Sequence, residues 1–75
     1  MAKANIWTVP HGEGTWANRR EGAVRASKVF ATKAAAQAAG RRTAMRERVE
    51  HLVHNRDGKL AERNSYGNDP RRVKG

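Results

Sequence analysis

The sequence predicts an α+β fold with the order β-β-α-β-β, in which one helix packs on one face of a four-stranded, mainly antiparallel sheet. Three observations lead to this prediction: a pair of β-rich runs separated by turn residues near the start, an Ala-rich segment with helical spacing in the middle, and an Asn-x-Asp-Gly turn between two later extended segments. A chain of 75 residues has room for one small core. We therefore predict a single domain over residues 1–70, followed by a flexible basic tail over residues 71–75.

The first two extended runs, residues 6–10 and 15–19, are predicted to form a hairpin. A two-residue turn at its tip pairs Val9 with Trp16 and places Trp7 on the same face. Indole rings also serve as stacking platforms for unpaired bases, but a chain with two Trp, one Tyr and one Phe needs them in its core. We therefore predict that Trp7 and Trp16 are buried on the helix side of the sheet.

The helix is predicted over residues 32–50, with Thr32 as its N-cap and a first half rich in Ala. Gly40 weakens the middle of this helix by about 1 kcal/mol relative to Ala. One apolar stripe recurs at helical spacing and is predicted to face the sheet. It consists of Ala31, Ala35, Ala38, Met45, Val49 and Leu52.

The last two strands flank residues 55–58, whose composition is typical of a type I turn with Gly58 in the left-handed region. Leu60 is predicted to be the core residue of the final strand. The sequence leaves its partner open, because Leu52 and Val53 are both suitable cross-strand neighbours.

Two further aromatic residues are predicted to fasten other segments to the core. Phe30 anchors the extended segment that precedes the helix. Residues 65–70 have turn chemistry and are interpreted as a latch, in which the ring of Tyr66 packs on the sheet, Gly67 has a positive φ and Pro70 ends the ordered part. The alternative interpretation of this segment is a ligand-binding loop.

Short motifs along the chain occur in the order found in one bacterial family. They are Trp7-Thr8-Val9-Pro10-His11, Trp16-Ala17, Ala26-Ser27, Phe30 followed by Thr32-Lys33-Ala34, Ala44, His54, Asp57-Gly58-Lys59, and Ser65-Tyr66-Gly67-Asn68-Asp69-Pro70. In these residues the chain resembles the bacterial domain of unknown function 2188 family of small stand-alone proteins. The resemblance covers nearly the whole chain and implies a small α+β domain. It implies no activity, and this chain is richer in Arg than the family pattern.

The charge balance predicts a polyanionic partner. Sixteen Lys and Arg face seven Asp and Glu, which gives a net charge of +9. Such a charge is typical of proteins that contact DNA or RNA through phosphates, although a GC-rich genome also enriches proteins in Arg without any functional reason. The candidate phosphate contacts are Arg19, Arg20, Arg25, Lys28, Arg41, Arg42, Arg46, Arg71, Arg72 and Lys74.

A second function class stays open beside nucleic-acid binding. One helix covers only one face of the predicted sheet, so the other face or an edge strand is available for a protein partner or for a homo-oligomer.

Several kinds of site are not predicted. The chain has no Cys, which excludes disulfides and thiolate metal sites. His51 and His54 point to opposite faces of a strand, so they do not form a metal site together. The carboxylates form no catalytic constellation, and a sheet with one helix is expected to have little concavity for a pocket, so we expect no enzyme activity, no cofactor and no small-molecule substrate. The sequence has neither a membrane-spanning run nor a secretory signal, so we expect a cytoplasmic location.

Overall fold

The computed structural model describes residues 4–23 and 25–66, and within them five strands and one helix. The elements are β1 (Ile6–His11), β2 (Thr15–Arg20), β3 (Lys28–Phe30), α1 (Lys33–Glu47), β4 (Glu50–His54) and β5 (Leu60–Ser65). The predicted α+β class is confirmed.

The strands form one mixed sheet in the order β3-β2-β1-β4-β5. The strands of the pairs β1/β2, β2/β3 and β4/β5 are antiparallel, whereas β1 and β4 are parallel because the chain returns through α1. The predicted number of four strands is wrong, because β3 pairs with β2 and adds a fifth. With only three residues, β3 is too short to show the alternation that identifies a strand.

The register of the β1/β2 hairpin differs by one residue from the prediction. Trp7 is opposite Arg19, and Val9 is opposite Ala17, because the turn between the strands has three residues rather than two. A slip of one residue moves every side chain of a strand to the other face. The helix side of β1 therefore carries Ile6 and Thr8, and Trp7 lies on the face that α1 does not cover.

The helix begins as predicted but faces the sheet with different residues. Thr32 is the N-cap, and its hydroxyl accepts a hydrogen bond of 3.1 Å from the amide of Ala35. The helix ends at Glu47, three residues earlier than predicted, because Arg48 has the left-handed conformation.

The buried face of α1 consists of Ala36, Gly40 and Ala44. Ala31, Ala35 and Ala38 of the predicted stripe are exposed, and so is Met45, at 50%. The prediction followed the helical spacing of apolar residues and chose the wrong alanines. The structure instead buries the smallest residues, which let the helix backbone approach the sheet closely.

The turn between β4 and β5 is confirmed. The amide of Gly58 donates to the carbonyl of Asn55 over 2.9 Å, and Gly58 has a φ of 89°. Leu60, however, pairs with His54 and is 50% exposed, so the prediction of Leu60 as a core residue is wrong. An irregularity between Val53 and His54 shifts the register at this point.

The core lies between α1 and the sheet and is small. Ile6, Ala44 and Val49 form its apolar centre, and the half-buried ring of Tyr66 packs against them. The contact that was predicted for Tyr66 is thereby observed. Trp16 is buried as predicted, at 5% exposure, and Phe30 lies opposite it on β3, half-buried.

Candidate functional site

The sheet face that α1 leaves uncovered, called here the open face, carries a mixture of aromatic, basic and apolar side chains. Side chains alternate between the two faces along each strand, so the register shows which residues lie on the same face as Trp7. They are Val9, His11, Thr15, Ala17, Arg19, Val29, Glu50, Leu52, His54, Leu60, Arg63 and Ser65.

Three of these side chains form a contact chain across the central strands, which we call the open-face row. The guanidinium carbon of Arg19 on β2 lies 5.4 Å from the centre of the Trp7 ring on β1. The ring of His54 on β4 lies 5.0 Å from Trp7 between centroids, at 32° between the ring planes. Cation–π attraction and ring contact thus hold the three groups together without any carboxylate.

The open-face row contains two N–H donors that have no acceptor. Within the described residues, Trp7 Nε1 and Arg19 Nε are both removed from solvent and unpaired. A buried donor without a partner costs about 1–3 kcal/mol, so such groups call for an explanation. The two belong to side chains in contact with each other, which points to one shared cause.

The third member of the row is oriented by the backbone. His54 Nδ1 donates to the carbonyl of Thr8 over 3.3 Å, since a carbonyl only accepts. This bond fixes the orientation of the His54 ring beside Trp7.

A cavity of about 440 Å³ adjoins the open-face row. Its walls consist of Trp7, Val9, Pro10, His11, Ala17, Arg19, Ala26, His54 and Gly58. The strands supply most of this lining, while the segment before β3 and the β4/β5 turn supply one residue each. Ligand cavities in proteins have volumes of roughly 300–1,000 Å³, so this one is of sufficient size for a small planar group.

The helix side of the sheet also has a polar cluster, but it is closed. The Thr8 hydroxyl donates to Asn18 Oδ1 over 2.6 Å and contacts His51 Nε2 at 2.7 Å, while Asn18 Nδ2 donates to the carbonyl of Ala36 over 2.8 Å. Because the Thr8 proton is used on Asn18, His51 Nε2 is the donor in their contact. Burial lowers the pKa of His51, and Arg41 lowers it further while Glu62 opposes the change. Thr8, Asn18 and His51 are all buried beneath α1, so this cluster fixes the helix on the sheet.

The seven predicted phosphate contacts that the structure describes do not converge on one surface. Arg19 lies on the open face, and Arg25 is exposed in the loop before β3. Arg41, Arg42 and Arg46 are exposed on α1. Arg71, Arg72 and Lys74 lie outside the described residues, as do the predicted latch residues Gly67 and Pro70.

The remaining two candidates lie at the edge between α1 and the sheet. Arg20 donates two bonds of 2.5 and 2.6 Å to the carboxylate of Glu47, and these bonds raise the pKa of Arg20. Lys28 Nζ lies 5.4 Å from the centre of the Phe30 ring. Arg20 thus has an ion-pair partner, which makes it a weaker candidate for phosphate contact than Arg19 or Arg25.

Most of the described carboxylates are engaged in structural contacts. Glu47 and Glu50 form ion pairs, Asp57 Oδ1 accepts from the amide of Lys59, and Glu62 accepts from Gln37. Among residues 4–23 and 25–66, no three His, Asp or Glu side chains are grouped for a metal ion. His51 and His54 lie on opposite faces of β4, as predicted. Within the same residues, no helix is long and apolar enough to cross a membrane.

Sequence reasoning named the parts of the open-face row without joining them. Arg19 was predicted as a phosphate contact, Trp7 as a core residue, and His54 was considered only as a metal ligand. The placement of Trp7 in the core is wrong, since the hairpin register puts it on the open face, half-buried. The two positive-φ glycines of the turn, Gly12 and Gly14, were the sequence signal for a three-residue turn.

Comparison with known proteins gives one result. A family model described as an uncharacterized protein conserved in bacteria matches residues 6–66. No curated protein and no solved structure matches the chain.

Proposed function

Because the chain belongs to the bacterial domain of unknown function 2188 family, whose description carries no activity, we propose a function from its charges and surfaces: it is a small non-enzymatic module that contacts the phosphates of DNA or RNA. A cytoplasmic location, where both nucleic acids occur, is part of this proposal.

The observation that carries the proposal is the shortage of internal partners for the cations. Of the Lys and Arg side chains that the structure describes, only Arg20, Arg46 and Arg63 form ion pairs with carboxylates. Cations without partners repel one another and oppose folding, unless an external polyanion neutralises them. Most of the Lys and Arg side chains that the structure describes are therefore available to a partner.

The way these cations are distributed favours phosphate contact over base reading. Arg41 and Arg42 are exposed on one side of the molecule, and Arg19 and Arg25 lie elsewhere. Base-edge recognition needs several side chains that enter one groove together, whereas phosphate contact needs only positive charge near the backbone. We therefore expect little sequence preference.

A salt-dependent titration tests the proposal. Labelled DNA and RNA are titrated with the protein from 50 to 200 mM salt, and binding is followed by fluorescence anisotropy. Neutralising a handful of phosphates gives a log–log slope of about −3 to −6. If neither nucleic acid binds more tightly than about 100 μM at 50 mM salt, weaker than ordinary non-specific binders, the charge is compositional and the proposal is wrong.

One observation favours a protein-interaction module as a second candidate. Val29 and Leu60 are 46% and 50% exposed, and the register places both on the open face, on the two edge strands. Exposed apolar residues at sheet edges are common in strand-pairing interfaces. Sedimentation at low and high salt tests this candidate, because a homo-oligomer built on such contacts persists at high salt.

A further inference from the structure

We propose that the cavity beside the open-face row holds one unpaired nucleobase, so that the protein prefers single-stranded to double-stranded nucleic acid. This inference rests on the proposed function, and it adds which form of nucleic acid is bound and where. The proposed base site lies on the open face of the sheet, opposite α1. Phosphate contact alone involves cations on several surfaces of the protein.

The open-face row offers a planar surface of the kind on which bases stack. One side of the Arg19 guanidinium faces the Trp7 ring. The other side of the guanidinium faces away from that ring. Arg guanidinium planes and aromatic rings are the two groups on which proteins stack unpaired bases. His54 lengthens this surface on the β4 side, in contact with the same Trp7 ring.

The two unpaired donors of the row match the chemistry of a base. Trp7 Nε1 and Arg19 Nε have no acceptor in the described part of the chain. Every nucleobase carries a carbonyl oxygen or a ring nitrogen that accepts hydrogen bonds. Both side chains line the cavity, so a rotation of the terminal torsions of Arg19 presents its donor to a base that enters there. A purely apolar ligand would leave both donors unpaired.

The shape of the cavity favours an unpaired base. Val9, Pro10 and Ala17 form apolar walls next to the polar row, and the volume of about 440 Å³ exceeds what one base requires. In a duplex the faces of the bases are covered by their neighbours, so a paired base reaches such a cavity only after it leaves the stack, at a cost of a few kcal/mol.

The charge on this face selects an anionic ligand over a second copy of the chain. Arg19 has no carboxylate partner among the described residues, and the one acidic side chain that the register places on the open face, Glu50, is paired with Arg63 at 3.0 Å. Two such faces brought together would repel each other, whereas the phosphates that flank a base complement them.

The central test compares two substitutions that keep the charge. Arg19→Lys removes the planar guanidinium and its Nε donor, and Arg48→Lys makes the same change at the exposed residue that follows α1. Affinities are measured for a labelled ten-nucleotide single strand and for its duplex at 50 mM salt. Arg19→Lys should weaken single-strand binding at least about five-fold and leave duplex binding and the salt slope unchanged, because stacking of a base contributes about 1–3 kcal/mol. Arg48→Lys should change neither.

A second readout reports contact with the row directly. A base that enters the cavity lies against Trp7, so the single strand should quench part of the Trp fluorescence and the duplex should not. Trp7→Phe should abolish this quenching, since the remaining Trp16 is buried on the other side of the sheet. Melting curves of each variant establish that the fold is retained.

The outcomes separate the two proposals. If neither polyanion binds, phosphate contact and the base site are both wrong. If the protein binds the single strand and the duplex equally, and Arg19→Lys behaves like Arg48→Lys, phosphate contact stands and the base site is wrong. A dimer that forms without nucleic acid and that Arg19→Lys dissociates would also overturn the base site, because a second copy would then cover the open face.

Discussion

Gly40 of α1 lies directly over His51 of β4, so closely that a methyl group at residue 40 would be 2.7 Å from His51 Nε2. The same methyl group would be 2.9 Å from Thr8 Oγ1 and from Asn18 Oδ1. These are the three side chains that hydrogen-bond to one another beneath the helix. The missing side chain at residue 40 therefore sets the distance between the helix and the sheet.

We predict that Gly40→Ala destabilises the domain by about 2 kcal/mol, because it overpacks this contact. Helix propensity alone predicts the opposite, a gain of up to about 1 kcal/mol. The exposed Ala38 provides the control, since Ala38→Gly should cost only the propensity difference of about 1 kcal/mol. Urea unfolding followed by circular dichroism measures both, and a more stable Gly40→Ala variant would contradict the packing argument.

We predict that the domain loses stability as the pH falls below about 6.5. Burial lowers the pKa of His51 in the folded chain, so the unfolded chain binds a proton first. Neutral His51 makes its full contribution to the free energy of unfolding above pH 6.5, which is about the pKa of His in the unfolded chain. The contribution is lost as the pH falls from there to the lower pKa of His51 in the folded chain, by at most about 1.4 kcal/mol per pH unit.

The measurement is the free energy of unfolding between pH 7.5 and pH 5. In His51→Asn this part of the pH dependence should be absent. An equal loss in the variant and in the natural chain would show that another group causes it.

We predict that Gly58→Val destabilises the domain by at least about 1 kcal/mol. A Cβ at this residue meets no atom within 4 Å, so the whole effect comes from a β-branched residue at a φ of 89°. Gly58→Asn is the matched variant, because Asn tolerates positive φ better. Thermal melts should rank the natural chain first, Asn second and Val last, and equal melting temperatures for Asn and Val would rule out a backbone effect.

We predict different effects for two truncations of the C-terminal segment. Deletion from Ser65 onward removes Tyr66, whose ring packs on the core, and should cost at least about 2 kcal/mol or unfold the chain. Deletion of residues 71–75 should leave the melting temperature nearly unchanged. Similar losses from both truncations would contradict the division into a domain and a basic tail.

We predict that the same tail contributes to nucleic-acid binding. Replacing Arg71, Arg72 and Lys74 together by Ala should flatten the log–log salt slope by about two to three units, because each lost phosphate contact removes close to one unit. The melting temperature serves as the control for folding. An unchanged slope would assign all phosphate contacts to the domain itself.

Local signals in the sequence predicted the parts of the fold that depend on a few neighbouring residues. Thr32 caps the helix and Gly58 closes the last turn, because each conformation is decided within four residues. The prediction of the hairpin register was wrong, since the register depends on whether the turn has two residues or three. The same error hid the candidate site, because Trp7 and Arg19 come together on the open face only in the observed register.

The buried polar cluster was also beyond sequence reasoning. Gly40 was interpreted as a weak point of the helix, which is what propensity alone indicates. Its role depends on side chains from three different strands, Thr8, Asn18 and His51, and no local pattern links them. The helix stripe was placed wrongly for the same reason, since this close approach at Gly40, rather than the spacing of the apolar residues, determines which face of the helix contacts the sheet.

The parallel pair of β1 and β4 has a consequence for folding. Ile6 is paired with His51 and Thr8 with Val53, across more than half of the sequence, so β1 stays an unpaired edge until β4 has been added. Contacts between such distant segments slow folding, and exposed strand edges promote aggregation in the meantime. While residues 50–54 have not yet emerged from the ribosome, the β1/β2 hairpin has one unpaired strand edge, on β1. Association with another chain at that edge competes with completion of the sheet.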